Sequence, residues 1–562
     1  MNRRHFGLAA ALAALALTSG AGAAEPKATL LISGGPIYTG DESSPTVEAV
    51  AVRGDRIVYA GSRAGAEKLA GGQTTRIDLK GAALFPGFTD AHAHLRGIGE
   101  RELTLNLEGS ASLEEMLGKL KAWADAHPND PVLVGRGWIE THWPEKRFPV
   151  AADLDRVVPD RPVMLGRADG HAVVVNSAAL TAAGITSTTA APEGGDILKT
   201  RAGEPNGMLI DAAEQLVAKL MPADSEAQRE RAYDAGFKVY AEYGWTGLHN
   251  MSVGWDDMLT LEARAKRGDA PLKVYNGLTP EAGVPLLEGG ARTAGEGRVI
   301  TRMIKFYADG ALGSRGAALF SPYADRPDTT GLMQTDAARQ VPIYTQALRS
   351  GIQITTHAIG DRGNAETLDW YDAALKAVPA GERPVEEPRF RVEHAQVLRL
   401  SDIPRFRALG VIPSMQPSHA IGDLFFAPSR LGDARLDGAY AWRRIVESGA
   451  ILPGGSDAPV ERGDPLIEFY AAVARKSLDG RSGPDWRADQ AVDRKTALKM
   501  FTTWPAYASF REGELGLIKP GYRADFSGFS VDLMKAAEAE IPKGRAVLTV
   551  VDGVVVYSNL QP

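Results

Sequence analysis

The chain contains no cysteine in 562 residues. Disulfides, thiolate metal ligands and a cysteine nucleophile are therefore excluded, and any transition metal must rest on histidine, carboxylate or a modified side chain. There is no basic run either, and the net charge is −7, which argues against nucleic acid as partner. No apolar stretch is long enough to span a bilayer, so no stable membrane anchor is expected. Low-complexity tracts and solenoid-type repeats are also missing. What is present, 44% hydrophobic and 24% charged residues, is a globular composition. The length leaves room for one large domain and a second, smaller one.

The first residues read as an export signal. Arg3 and Arg4 supply the charged start, 7–17 the apolar stretch and Ala21-Gly-Ala23 a small-residue cleavage site. Arg3-Arg-His-Phe-Gly-Leu8 also resembles a twin-arginine signal. Residues 1–23 are thus expected to be a leader to an exported, periplasmic protein. Cleavage after Ala23 would remove two arginines and no acid, taking the net charge from −7 to −9.

Short strand patterns at 30–32, 47–52, 56–60 and 76–79 are punctuated by Gly34-Gly-Pro36, Arg53-Gly-Asp55 and Gly71-Gly72. The far end repeats the texture at 523–526, 546–551 and 554–557, around the hairpin signal Asp552-Gly553. Two strand-rich ends around a different middle suggest one small β-sandwich built from 24–80 and 506–562. Between them, apolar runs alternate with helical patterns. Candidate strands at 84–89, 247–250, 273–278, 302–307, 352–357, 389–394, 411–416 and 451–456 make eight. The expectation is an α/β fold, a (β/α)8 TIM-type barrel over 81–505, with catalytic groups where strands end. From His94 to Lys305 is 211 residues, far more than three βα units need, so an insertion after the first barrel strand is placed at about 104–224.

The chemistry concentrates in Phe85-Pro-Gly-Phe-Thr-Asp-Ala-His-Ala-His94. Strand alternation points residues i and i+2 to one face, so His92 and His94 can offer two imidazoles to one point in space. Asp90 is close enough to orient an imidazole. Four later strand ends also present a polar group after an apolar run: Lys305, His357, His394 and Asp457. A lysine paired with an acid such as Asp309, or a histidine bonded to a loop, would explain any one of these groups alone. Six in barrel order point to a metal centre.

These motifs resemble the amidohydrolase superfamily, and within it the amidohydrolase 3 type branch of YtcJ-like proteins and N-substituted formamide deformylases. Further signatures are Lys305-Phe-Tyr-Ala-Asp-Gly-Ala-Leu-Gly-Ser-Arg315, Gly455-Ser-Asp-Ala-Pro459, Gly516-Leu-Ile-Lys-Pro-Gly-Tyr-Arg-Ala-Asp525 and Asp169-Gly-His171. The resemblance implies His92 and His94 on one divalent ion and His357 and His394 on the other. Lys305, carboxylated by carbon dioxide, would bridge them, with Asp457 touching the first. It implies hydrolysis of a non-peptide C–N (amide) bond by a metal-bridging hydroxide, with Asp457 taking the proton and delivering it to the leaving amine. Zinc is the default for such ligands, although manganese, iron and cobalt suit them too.

His419 should face the barrel mouth and bond substrate, and His171, Trp138 and Arg315 are further candidate substrate contacts. Trp143, Phe148, Phe425 and Phe426 are candidates for an apolar wall, and Arg443 for holding an anion. Expected partners are a small-molecule amide and, at most, a second copy of the chain in a homodimer. The competing readings are a deaminase or cyclic-amide hydrolase on the same scaffold, and a catalytically silent binding relative.

Overall fold

The computed structural model describes residues 26–560 apart from 169, 193, 222–224 and 484–485. The expected leader at 1–23 and Asp169 of the Asp169-Gly-His171 motif lie outside the described residues.

Both chain ends enter one eight-stranded sheet. Leu30–Tyr38, Thr46–Arg53, Arg56–Gly61, Thr75–Asp78 and Ala83–Pro86 come from the N-terminal part; Phe526–Phe529, Ala546–Val551 and Val554–Ser558 come from the C-terminal part. The two parts join where Ala83–Pro86 runs antiparallel to Phe526–Phe529, with Ser527 opposite Phe85. Leu30, Ile32, Val50 and Val52 share a core with Phe526, Leu548 and Val550. Leu31, Ala49 and Ala51 face the other way, onto Ala66 of the Arg63–Leu69 helix. Burial on both faces is why these strands read as apolar runs and not as alternation. One continuous sheet therefore encloses this core, where two stacked sheets were expected.

The expected strand at 84–89 is two strands. Ala83–Pro86 belongs to the terminal sheet, and Phe88–Ala93 opens a second, parallel sheet. Gly87 is the pivot. A Cβ there would lie 2.3 Å from Thr246 Oγ1 and 2.7 Å from Asp525 Cβ, so only glycine allows the two sheets to approach.

The parallel sheet runs Phe88–Ala93, Trp245–Val253, Lys273–Leu278, Val299–Tyr307, Gln353–Ala358, Arg391–His394 and Ile412–Ser414. The stretch at 451–456, expected as a strand, is not a regular one, because Pro453 lacks a donor and the two glycines after it release the backbone. It still passes between the first and last strands. Met415 N–H donates to Pro453 O at 3.1 Å, Ala91 N–H to Gly454 O at 3.0 Å and Asp457 N–H to His92 O at 2.7 Å. The sheet is thereby nearly closed, with helices such as Glu226–Tyr243, Ala337–Ser350 and Asp361–Ala377 in the connections.

Between the helices Leu95–Leu103 and Glu226–Tyr243 a third, six-stranded sheet is inserted, from Leu105–Asn106 to Pro205–Asp211. One of its faces packs Val163 and Leu165 against Leu113, Met116, Leu117 and Leu120 of the Leu113–Ala126 helix. The other packs Met164 and Val173 against Ala179, Leu180 and Ala183. Among the described residues no helix is long and apolar enough to cross a membrane.

A buried ion cluster fastens the terminal sheet to the parallel one. Lys273 Nζ donates to both oxygens of Asp525 and to Asp552 Oδ1, each at 2.7 Å. Replacing Lys273 by methionine should leave these carboxylates without that cation. We expect a loss of about 3–5 kcal/mol, seen as a melting temperature lowered by on the order of 5–10 °C in a thermal unfolding scan.

Candidate metal centre and active site

His92 lies near the end of Phe88–Ala93, and His94 follows it as the residue that opens the Leu95–Leu103 helix. Their Nε2 atoms converge on one oxygen, Asp457 Oδ1, at 3.3 and 3.1 Å. Asp457 reaches this point with its backbone at φ 60°, in the bend that follows Gly454 and Gly455. A Cβ on Gly455 would lie 2.5 Å from His92 N, so the close passage of the two segments requires glycine there.

Each ring is oriented from behind. His92 Nδ1–H donates to Glu393 Oε2 at 2.6 Å, His94 Nδ1–H to Met251 O at 3.1 Å and His394 Nδ1–H to Gln416 Oε1 at 2.9 Å. These bonds put the proton on Nδ1 and leave the Nε2 lone pair for the cavity. His357 is turned the other way, with Nε2 3.4 Å from Gly310 O, so Nδ1 is its free nitrogen. Its ring centroid is 4.5 Å from that of His394. Burial lowers the pKa of His94, His394 and His419, and brings His357 down to about 3. Neutral rings with free lone pairs are what a divalent ion needs.

Lys305 is buried on Val299–Tyr307, with Nζ 5.2 Å from the Tyr307 ring centroid. Among the described residues no acceptor lies within hydrogen-bonding distance of Nζ. Burial pulls its pKa down to about 8, against the pull of Glu393 and Asp457. Asp309 is not its partner. That carboxylate accepts the N–H groups of Ala318, Ile359 and Gly360 at 2.8–2.9 Å and clamps two loops together.

Asp90, expected to orient an imidazole, touches none. Its Oδ1 accepts from the backbone N–H groups of His92 and Ser456, and its Oδ2 from Ser456 Oγ and Tyr240 Oη. Glu393 does the orienting instead. It is fully buried; its Oε1 lies 2.7 Å from Arg391 Nε in an ion pair and accepts from Thr355 Oγ1 at 2.5 Å. Burial pushes its pKa up, but Arg391 and His92 outweigh that and hold it well below the carboxylate range. Arg391 and Glu393 at i and i+2 of a buried strand were the available signal, because a charged pair inside an apolar sheet needs a partner there.

Two donors held about 2.0–2.2 Å from a tetrahedral ion stand roughly 3.3–3.5 Å apart. His92 and His94 Nε2 lie 3.3 and 3.1 Å from Asp457 Oδ1, close to that spacing, the three donors lie within 4.8 Å of one another, and His92 Nε2 is buried without a hydrogen bond. The donor set therefore fits a divalent ion. His394, His419 and Asp457 form a second such group.

These groups floor a cavity of about 340 Å³. Leu312, Ile359, Phe426 and Val460 make apolar wall, and the inserted sheet contributes Ile139, Arg167 and His171. Arg167 is bound to Glu140 at 2.8 and 3.1 Å, and His171 Nδ1 lies 2.8 Å from Asp211 Oδ1. His171 and His419 are therefore at the cavity, as is Arg167, which carried no sequence signal.

Trp138 and Arg315 are not there. Trp138 is fully buried in the inserted layer, against Trp143 and Phe148, with Nε1 donating to Leu165 O at 2.7 Å. Arg315 is tied to Asp325 at 2.8 and 3.2 Å, and Arg443 pairs with Glu447 at 2.9 Å on the surface. Phe425 lines a neighbouring cavity.

The amidohydrolase family model matches residues 75–557. YtcJ of Bacillus subtilis (strain 168) is 35% identical over 532 residues, covering 94% of this chain and 99% of its own. The N-substituted formamide deformylase of Arthrobacter pascens is 27% identical over 554 residues, 94% of this chain and 98% of its own. The crystal structure of an uncharacterized metal-dependent hydrolase from Pyrococcus horikoshii superposes with a TM-score of 0.74 at 25% identity, over 91% of this chain and 99% of that one. With an imidazole and carboxylate floor in a nearly closed parallel sheet, these matches establish that the chain belongs to the amidohydrolase family and is a hydrolase of carbon–nitrogen bonds.

Proposed function

We propose that this enzyme is a (β/α)8 barrel that hydrolyses a linear, non-peptide amide at two divalent ions, zinc by default. The observation that carries the reading is the convergence of His92 and His94 Nε2 on Asp457 Oδ1 beside a buried Lys305 that has no hydrogen-bond acceptor among the described residues. His92, His94 and Asp457 would hold one ion; His357, His394 and Lys305 as its carbamate would hold the other. The Lys305 ammonium first loses a proton; the neutral Nζ then adds to carbon dioxide, forming a C–N bond and releasing a second proton, so that a cation is replaced by a bidentate anion. When bound, the ions supply Lewis acidity that polarises the carbonyl and makes water acidic.

The remaining work falls to the chain. Asp457 is a carboxylate at neutral pH, because the His92 and His94 rings outweigh the effect of its burial. It can take the proton of the attacking water and hand it to the departing nitrogen, without which an amine leaves poorly. His419, 3.5 Å from Asp457 Oδ2, borders the same point. Leu312, Ile359 and Phe426 favour an apolar substituent and help exclude water. The kinship with an N-substituted formamide deformylase makes N-substituted formamides one class to assay. We further propose export to the periplasm, supported by Arg3-Arg4, the apolar stretch and Ala21-Gly-Ala23.

A panel of linear amides, cyclic amides and aminated heterocycles, assayed before and after chelation, tests the reading. Amine release from linear amides, lost with metal and regained on adding zinc, is expected; full activity in metal-free enzyme would reject it. Asp457→Asn keeps the shape but removes the base. Its turnover should fall by at least roughly 10²–10⁴-fold with little change in KM. Glu393→Gln weakens the hold on His92, and competition with a chromophoric chelator should find metal affinity lowered about 10–100-fold.

A further inference from the structure

Asp457 has imidazole on both sides. Oδ1 faces His92 and His94, while Oδ2 lies 3.5 Å from His419 Nε2. His419 is in the first turn of the Pro417–Asp423 helix, three residues after Gln416, which holds His394. The two rings lie nearly parallel, 12° apart, with centroids 5.7 Å from one another. His419 is only 8% exposed, and its Nε2 is buried with no hydrogen-bond partner. Leaving such a nitrogen unsatisfied costs on the order of 1–3 kcal/mol. One donor from each of His394, His419 and Asp457 lies within 4.8 Å of the others.

We propose that His394, His419 and Asp457 form an alternative berth for the second divalent ion, used when Lys305 carries no carbamate. The proposal rests on the two-ion reading above. His394 is common to both berths, so the ion occupies one or the other. An unmodified Lys305 ammonium has no lone pair and repels a cation. The set of His357, His394 and Lys305 then loses its only anion. The alternative set keeps one, because Asp457 has a second oxygen on the His419 side. His419 would thus retain metal in enzyme that has lost carbon dioxide, and keep it ready for recarboxylation.

The test is metal stoichiometry, read by elemental analysis of chelated protein reloaded with zinc, and by the visible spectrum after reloading with cobalt. Wild type with bicarbonate should bind two equivalents; fewer would overturn the two-ion reading and this proposal with it. Lys305→Met cannot form a carbamate and should still bind two. Lys305→Met with His419→Ala should bind one, while Lys305→Met with His357→Ala should still bind two. One equivalent in Lys305→Met, or two in the His419→Ala double variant, would overturn the berth while leaving the two-ion reading intact. Crystals of zinc-loaded Lys305→Met give an independent reading. An anomalous peak about 2.0–2.2 Å from His419 Nε2 is expected, and a second ion seated instead on His357 would reject the proposal.

Discussion

The carboxylate of Asp90 ties the first parallel strand to the segment that closes the sheet. It is completely buried and accepts four hydrogen bonds, two from backbone at His92 and Ser456 and two from the hydroxyls of Ser456 and Tyr240. Burial pushes its pKa up to about 6 against the pull of those donors. Hydrogen bonds to a charged acceptor contribute about 1.5–3 kcal/mol each. Pro453 and the following glycines cannot form a regular strand, so this carboxylate stands in for part of the missing ladder. It fixes the backbone of a metal-ligand candidate and of the residue before Asp457 in one step. The spacing of His92, His94 and Asp457 follows from that attachment.

Beneath the rings lies a second polar layer. Arg391 pairs with the Glu393 carboxylate and donates to Ala91 O and Ser414 Oγ, and its Nη1 lies 2.8 Å from His249 Nδ1. Glu393 then accepts from His92. In a low-dielectric interior these contacts are strengthened and hold their groups rigidly, although Arg391 Nε and His249 Nε2 are buried without a hydrogen bond. Rigidity suits a site whose ring nitrogens must stay within a few tenths of an ångström of a ligand geometry. The cavity walls are built differently. They come from loops and from the inserted sheet, which can vary without disturbing the floor.

The six strand-end groups and the alternation of apolar runs with helical patterns were legible from the residues, because covalent order and periodicity are local properties. So were the two strand-rich ends and the insertion, the latter from the excess length between His94 and Lys305. Reading 84–89 as one strand failed because Ala83–Pro86 and Phe88–Ala93 are equally apolar, and only their partners distinguish them. The expectation that Trp138 touches substrate fails because an aromatic looks alike in sequence whether it lines a core or a cavity. The expectation for Arg315 fails for a similar reason: its carboxylate partner, Asp325, sits in a loop whose path the sequence does not disclose.

What the sequence by itself determined is the inventory of the site: which side chains can ligate, in what order along the chain, and that sulfur has no part. What only the tertiary structure decided is which atoms meet. Asp90 grips backbone, Glu393 orients His92, His357 is turned opposite to the other rings, and Asp457 divides its oxygens between two groups of imidazoles. The reason is physical. The identity of a donor is carried by one residue, but a distance of about 3 Å between segments several hundred positions apart is set by the packing of every element between them.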